Sequence, residues 1–208
     1  MPESPSEELA VRLRFALQWF VRCFIAIHVP EAIRGALARL SAELRSCRVR
    51  AKWARPEQMH LTLRFLGEIT PDQCATISAH MAKSTRKLAP FQLRVHGVGA
   101  FPNVRRANII WSGVGPSDGP LAQLQMHCEA AARSAGLTAE PRAFFPHITL
   151  TRLTDRRPPE DLILAIERHQ TFIAGEFTVE GVSLCKSELT QGGPVHSRLQ
   201  EFPLPWTS

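Results

Sequence analysis

His60-Leu61-Thr62-Leu63 and His147-Ile148-Thr149-Leu150 are two copies of one pattern. In an extended strand the alternation sends histidine and threonine to one face and the aliphatic residues to the other. An imidazole, with an unperturbed pKa of about 6.5, either takes or gives a proton near neutrality. A hydroxyl two residues further along the same face can donate to an anionic oxygen. One imidazole on each side of a phosphorus atom suits an in-line displacement, such as the opening of a strained cyclic phosphodiester by water. One histidine takes the proton of the water and the other protonates the departing alkoxide. Strand alternation gives Arg64 the His60/Thr62 face, and Arg152 lies near the end of the second strand; either adds charge directed at a phosphate.

A single strand histidine is more often a surface or packed residue, and threonine is common in strands for its β-branched shape. The repetition is what separates this pattern from that background. His60 and His147 are also two potential metal ligands, but no HxH, HExxH or neighbouring Cys/His/acid cluster supplies a third or fourth. Gly192-Gly193 lacks the helix and lysine of a phosphate-binding P-loop and reads as a turn. The six other histidines, His28, His80, His96, His127, His169 and His196, have no comparable partner pattern and read as surface or core residues.

The elements around the tetrads follow from periodicity. Cys23 to Ile27 reads as a buried strand. Pro30 then opens a helix with apolar positions Ile33, Leu37, Leu40 and Leu44. The first histidine strand spans Met59 to Leu66 and ends at Gly67. Thr70-Pro71-Asp72-Gln73 is a helix start with a capping threonine, a first-turn proline and a glutamine at the third position. Strands follow at 91–98 and 107–114, a helix at 121–134 stopped by Gly136, and the second histidine strand at 144–153. A helix from about Pro158 to Arg168, a strand at 176–186 and a last strand at 196–202 complete the chain. The order predicts an α+β protein with an imperfect internal duplication centred on the histidine strands, so that two similar halves bring both histidines to one cleft.

With 208 residues, 44% of them hydrophobic, the chain can bury a substantial core, and residues 21–208 read as a single domain. Residues 1–20 read as an N-terminal extension, partly disordered, with a Pro/Ser/Glu-rich opening. A net charge of +6 favours an anionic partner. The run Arg45, Arg48, Arg50 and Lys52, with Arg105 and Arg106, is either a path for a nucleic-acid strand or an unspecialised solvated face. Five scattered cysteines without a CxxC pair suit a reducing, cytoplasmic compartment. The longest apolar segment, 9–29, is interrupted by Arg12, Arg14 and Arg22, which argues against a membrane span.

The paired tetrads resemble the signature of the RNA 2',3'-cyclic phosphodiesterases, historically described as 2'-5' RNA ligases, within the two-histidine phosphoesterase superfamily. The resemblance extends over roughly 22 to 205. It takes in Arg22-Cys23-Phe24-Ile25-Ala26-Ile27, the Phe65-Leu66-Gly67 ending, Gly99-Ala100-Phe101-Pro102, Phe144-Phe145-Pro146-His147 and Lys186-Ser187-Glu188-Leu189. It implies a bilobal fold, with two pseudo-symmetric lobes of antiparallel-rich sheet around a central cleft and helices outside. It also implies metal-independent, cofactor-free hydrolysis of 2',3'-cyclic phosphate ends to 2'-phosphates.

On that resemblance His60 is the general acid and His147 the general base, Thr62 and Thr149 hold the phosphate, and Arg152 contacts phosphate or nucleotide. Phe144 takes the family's aromatic position near the cleft, Arg64 ranks below Arg152, and Trp53 and Phe101 are expected to be buried. The implied partners are RNA ends or nucleotides bearing 2',3'-cyclic phosphate, tRNA fragments among them, with no membrane partner and a monomeric chain. Reversible 2'-5' ligation in the same cleft, or RNA-end binding without turnover, are the alternative functions.

Overall fold

The computed structural model describes residues 20–155, 157–191 and 193–206; the expected extension lies almost wholly outside them, and only its last residue, Phe20, is described. The described residues form nine strands and four α-helices. In chain order these are β1 (Val21–His28), α1 (Glu31–Arg45), β2 (Ala51–Trp53), β3 (His60–Ile69), α2 (Pro71–Thr85), β4 (Phe91–Phe101), β5 (Ile109–Gly115), α3 (Gly119–Ser134), β6 (His147–Leu153), α4 (Glu160–Arg168), β7 (Ile173–Val179), β8 (Gly181–Thr190) and β9 (Gly193–Pro203).

The helices are specified by the local signals that predict them. Pro30 precedes α1, which buries Ile33, Leu37, Leu40 and Leu44 on one stripe. At the start of α2, Gln73 N–H donates to Thr70 Oγ1 at 3.2 Å and Thr70 N–H donates to Gln73 Oε1 at 3.0 Å, a reciprocal capping box. Gly136, at φ +79°, follows α3 in the left-handed conformation that a helix stop favours.

All nine strands belong to one antiparallel sheet, ordered β7-β4-β5-β6-β3-β1-β8-β9, with β2 added against β6. One half, β3-β1-β8-β9, carries His60; the other, β6-β5-β4-β7, carries His147. They meet where Leu61 pairs with Ile148, both fully buried. The duplication appears as β1-α1-β3-α2 and β5-α3-β6-α4, each a strand, a helix, a histidine strand and a helix.

The expected strand at 176–186 is two strands. Glu180 alone separates β7, which pairs with β4, from β8, which pairs with β1 in the other half. One residue cannot span a flat sheet of this width, so the sheet curls until its two halves approach each other. The first histidine strand also continues past Gly67 to Ile69. Gly67 adopts φ +72° at a register shift between β1 and β3, and its conformational freedom absorbs a bulge in place of ending the strand. The short β2 has no counterpart in the sequence reading, since three residues are too few to show a period.

The convex face of the sheet packs its apolar residues against the helices in one cluster that includes Ile25, Leu37, Leu40, Leu61, Ile77, Leu124, Ile148, Leu150 and Ile166. A second, smaller cluster, Phe24, Ala26 and Cys185, lies apart from it. The opposite face therefore stays available for polar side chains around a cleft.

Candidate active site

Leu61 opposite Ile148 fixes how the two tetrads face each other. Continuing that antiparallel register by one residue in either direction sets His60 opposite Thr149 and His147 opposite Thr62. Each imidazole thus stands beside the hydroxyl of the other motif. All four are partly buried, while Leu61, Leu63, Ile148 and Leu150 fill the core behind them.

The two imidazoles are held in the same way. His60 Nδ1 lies 2.6 Å from the carbonyl oxygen of Gln58, and His147 Nδ1 lies 2.7 Å from that of Phe145. A carbonyl only accepts, so each Nδ1 carries the hydrogen and donates it. Each Nε2 is thereby the nitrogen free to exchange a proton. Burial pushes His60 down to about 4, with the Gln58 carbonyl opposing and the charges of His196, His28 and His147 adding to the fall. His147 is lowered as well, chiefly by burial, with its carbonyl bond opposing and the Arg152 charge contributing.

Arg64 is not on this face. It is 8% exposed, and its Nε donates to Glu129 Oε2 on α3 at 2.6 Å; its other nitrogens donate to the Phe65 and Thr138 carbonyls. The cause is a bulge. Ile25 pairs with Arg64 and Ala26 with Thr62, leaving Leu63 as an extra residue that reverses the alternation. Leu63 and Arg64 are both buried as a result, and the exposed Phe65 turns to the histidine face, 6.4 Å from the Phe24 ring that stacks on His60 at 4.8 Å.

The same device operates in β6. Ile110 pairs with Thr151 and Trp111 with Thr149, leaving Leu150 as the extra residue. Thr151 is buried and donates to the Lys52 carbonyl at 3.1 Å, while Arg152 is exposed on the His147 side. Unbroken alternation would have buried Arg152 and exposed Thr151. Lys52, on β2, pairs directly with Arg152, so two cations stand together at this end of the cleft.

Aromatic side chains wall both sides. Phe101 and His147 meet edge to face at 5.0 Å, Phe101 and Phe145 at 5.5 Å, and Trp111 and Phe145 at 4.9 Å. The Trp111 indole lies across Gly99, where any side chain would collide with it. Phe144, the expected aromatic contact, packs against the core instead, and the neighbouring Phe145 is 49% exposed beside the cleft. Phe101, expected to be buried, is only partly so and borders His147. Trp53, also only partly buried, packs against the core with the Arg45 guanidinium 5.2 Å from its ring.

Two histidines read as background also enter the site. His28 pairs with His60 across β1 and β3, with its Nε2 3.6 Å from Cys185 Sγ. His196 of β9 meets His60 at 5.4 Å and Phe24 at 5.0 Å, in both cases edge to face. No local motif marks either one, because pairing between strands distant in sequence brings them here. Among the described residues no group of three or more His, Cys, Asp or Glu is arranged to hold a metal ion.

Curled antiparallel halves that present one carbonyl-anchored histidine each define a phosphoesterase fold of the two-histidine class. The profile of the family described as LigT like Phosphoesterase matches residues 27–111 and 114–196, and the chain belongs to that family. A protein of Aquifex aeolicus named RNA 2',3'-cyclic phosphodiesterase is 29% identical over 187 residues, 88% of this chain and 97% of its own length. One of the same name from Methanothermobacter thermautotrophicus is 30% identical over 184 residues, 88% of this chain and 99% of its own. The crystal structure of a Thermus thermophilus protein superposes with a TM-score of 0.76 at 29% identity, covering 90% of this chain and all of that one. Escherichia coli LigT, crystallised with 3'-AMP, shares the fold with a TM-score of 0.69 at 24% identity, covering 89% of this chain and 98% of its own.

Proposed function

We propose that the protein hydrolyses 2',3'-cyclic phosphate ends of RNA or nucleotides to 2'-phosphates, with His60 as general acid and His147 as general base. The observation that carries this reading is the matched anchoring of both Nδ1 atoms on backbone carbonyls, which leaves two Nε2 atoms as the proton-exchanging pair of one sheet face. The relatives named as RNA 2',3'-cyclic phosphodiesterases support it along nearly their whole length. They do not favour the ligase alternative.

His147 Nε2 takes a proton from water as the water oxygen bonds to phosphorus in line with the bond to O3'. That P–O3' bond breaks, and His60 Nε2–H protonates O3', leaving a 2'-phosphate and a free 3'-hydroxyl. The substrate anion raises the pKa of an adjacent imidazole and so offsets the burial that lowers His60 in the free protein. An imidazolium made more acidic by burial is also the stronger proton donor to an alkoxide. Thr62 and Thr149 donate to the nonbridging oxygens as charge gathers there, and Arg152 adds its charge from the His147 side.

Phe145 offers the stacking surface for a base, in the role expected of Phe144. Lys52 beside Arg152 suits the phosphate of a neighbouring nucleotide, so RNA ends, tRNA fragments among them, fit the cleft as well as mononucleotides. Five free cysteines, none of them paired, fit action in a reducing, cytoplasmic setting.

The test is turnover of a 2',3'-cyclic nucleotide and a cyclic-phosphate-ended oligonucleotide by EDTA-treated protein, with the phosphate position read by NMR. Turnover giving the 2'-phosphate, reduced by about 10²–10⁴-fold in His60→Ala and in His147→Ala, is expected. Turnover unchanged in both variants, or a 3'-phosphate product, would sink the assignment.

A further inference from the structure

The two halves of the cleft do not carry equal charge. Beside His147 the β6 bulge presents Arg152, with Lys52 paired to it. The position matching Arg152 in the other half, one residue beyond the bulge and the residue after it, is Phe65, and the arginine next to it is committed to Glu129. The β3 strand therefore offers no guanidinium at the position where β6 offers Arg152; Arg198 on β9 faces Glu201 at 3.4 Å. In its place is an imidazole delivered by the last hairpin: His196, opposite Ser187 in the β8–β9 ladder, turned edge-on to His60 and Phe24.

Its position is well fixed. Phe24 is 3% exposed and touches both imidazole rings, so the three aromatic groups form one packed unit. The hairpin is also tied to the anchor of His60, because the Gln58 side-chain amide donates to the Pro194 carbonyl while the Gln58 backbone carbonyl accepts from His60 Nδ1. One residue thus links the orientation of the two histidines. Yet His196 Nδ1 is buried with no hydrogen-bond partner among the described residues. A buried polar nitrogen without a partner is costly, and the enclosed Nδ1 is out of a ligand's reach, so the nitrogen left to meet one is Nε2, on a side chain that is partly buried as a whole.

We propose that His196 is a third substrate-binding imidazole, donating an N–H to a phosphate oxygen on the His60 side of the cleft, where the other half uses Arg152. This rests on reading the cleft as the site of a cyclic phosphodiester. The groups around His196 are His60 on β3, His28 on β1, the Lys186–Glu188 ion pair on β8, and Arg198 two residues further along β9. Burial lowers the pKa of His196 in the free protein, and an anion bound against it restores the proton. Phosphate binding through this residue is thus coupled to proton uptake on the acid side of neutrality.

The experiment compares wild type with His196→Phe, which keeps an aromatic ring against Phe24 and His60, and with His196→Gln, which keeps a donor. KM and kcat for uridine 2',3'-cyclic phosphate are measured at pH 6 and pH 8, alongside calorimetric titration with uridine 2'-monophosphate and melting temperatures. Losing a hydrogen bond to a charged group predicts a KM and a product Kd raised about tenfold or more in the Phe variant at pH 6. A smaller rise at pH 8, a kcat within about twofold and partial recovery in the Gln variant are expected with it.

KM and Kd equal to wild type in the Phe variant overturn the proposal. So does an equal, pH-independent loss in both variants accompanied by lower melting temperatures, which assigns His196 a packing role only. If wild type does not turn over the cyclic nucleotide, the hydrolase reading fails, and the titration with the monophosphate still decides whether His196 binds phosphate.

Discussion

Phe144 and Phe145 differ by one position and have different fates. A phenylalanine pair approaching a β-strand sends one ring inward and the other outward, and the residue types do not say which. Here Phe144 packs on the core, and Phe145 joins Phe101, Trp111 and His147 at the cleft. Base stacking on an aromatic side chain is worth about 1–3 kcal/mol by alanine substitution, so Phe145→Ala is expected to raise KM for a cyclic nucleotide about tenfold and to leave the melting temperature nearly unchanged. Phe144→Ala is expected to lower the melting temperature and leave KM alone. A reversed pattern in steady-state kinetics and thermal unfolding would return the stacking role to Phe144. The histidines themselves were legible because each is coupled to a threonine at a fixed spacing. His28 and His196 were not, since no nearby residue distinguishes them.

At the scale of the strand, the decisive features are the two bulges. Leu63 and Leu150, each the last residue of a tetrad, are both extra residues in their ladders. Each reverses the period-two rule beyond it, so the rule holds for His60 and Thr62 and fails two residues later. Arg64 consequently serves structure, held by Glu129 on α3 with Glu140 3.8 Å from it. Arg64 is buried and Glu129 half-buried, and Arg64→Ala is expected to cost about 1–3 kcal/mol in urea unfolding with little effect on kcat/KM per folded molecule. Arg152→Ala should show the opposite: near-wild-type stability and a KM raised about tenfold, the loss of a charged hydrogen bond to phosphate. Equal behaviour of the two variants would contradict the bulge assignment. A bulge leaves no mark in hydrophobic periodicity because the added residue is itself an ordinary strand former. Gly67 is the exception, where a glycine inside a strand pattern signals the irregularity.

The whole molecule closes the cleft through curvature. Because β7 and β8 follow one another yet pair in opposite halves, the sheet brings its two halves together, and burial lowers the pKa of His28, His60, His147 and His196 there, as it does that of His127 on α3. Each has a folded pKa below its unfolded value. Between those two values the unfolded chain binds more protons, so stability rises with pH through the window and falls on acidification. For His60 the window runs from 6.5 down to about 4, a contribution of up to about 3 kcal/mol. Urea midpoints are expected to drop steadily from pH 7 to pH 4.5, and to drop less in His60→Gln. An unchanged slope in that variant would show that His60 does not carry this part of the acid sensitivity.

The sequence alone determined the four tetrad residues, the helix boundaries set by Pro30, Thr70 and Gly136, and the duplicated order of elements. All of these rest on spacings of a few residues, where local hydrogen bonding and hydrophobic period act directly. Tertiary structure decided which side chains share the cleft with the tetrads: Arg152, named from the sequence, is kept there while Arg64 is withdrawn and Phe65 takes its place, Phe145 replaces Phe144, and His196 arrives from the far end of the chain. Those outcomes depend on register shifts and on pairing between strands distant in sequence. A bulge flips every later side chain without changing the residue pattern that precedes it, and sheet curvature is set by which edges pair, a choice made only when the whole sheet assembles.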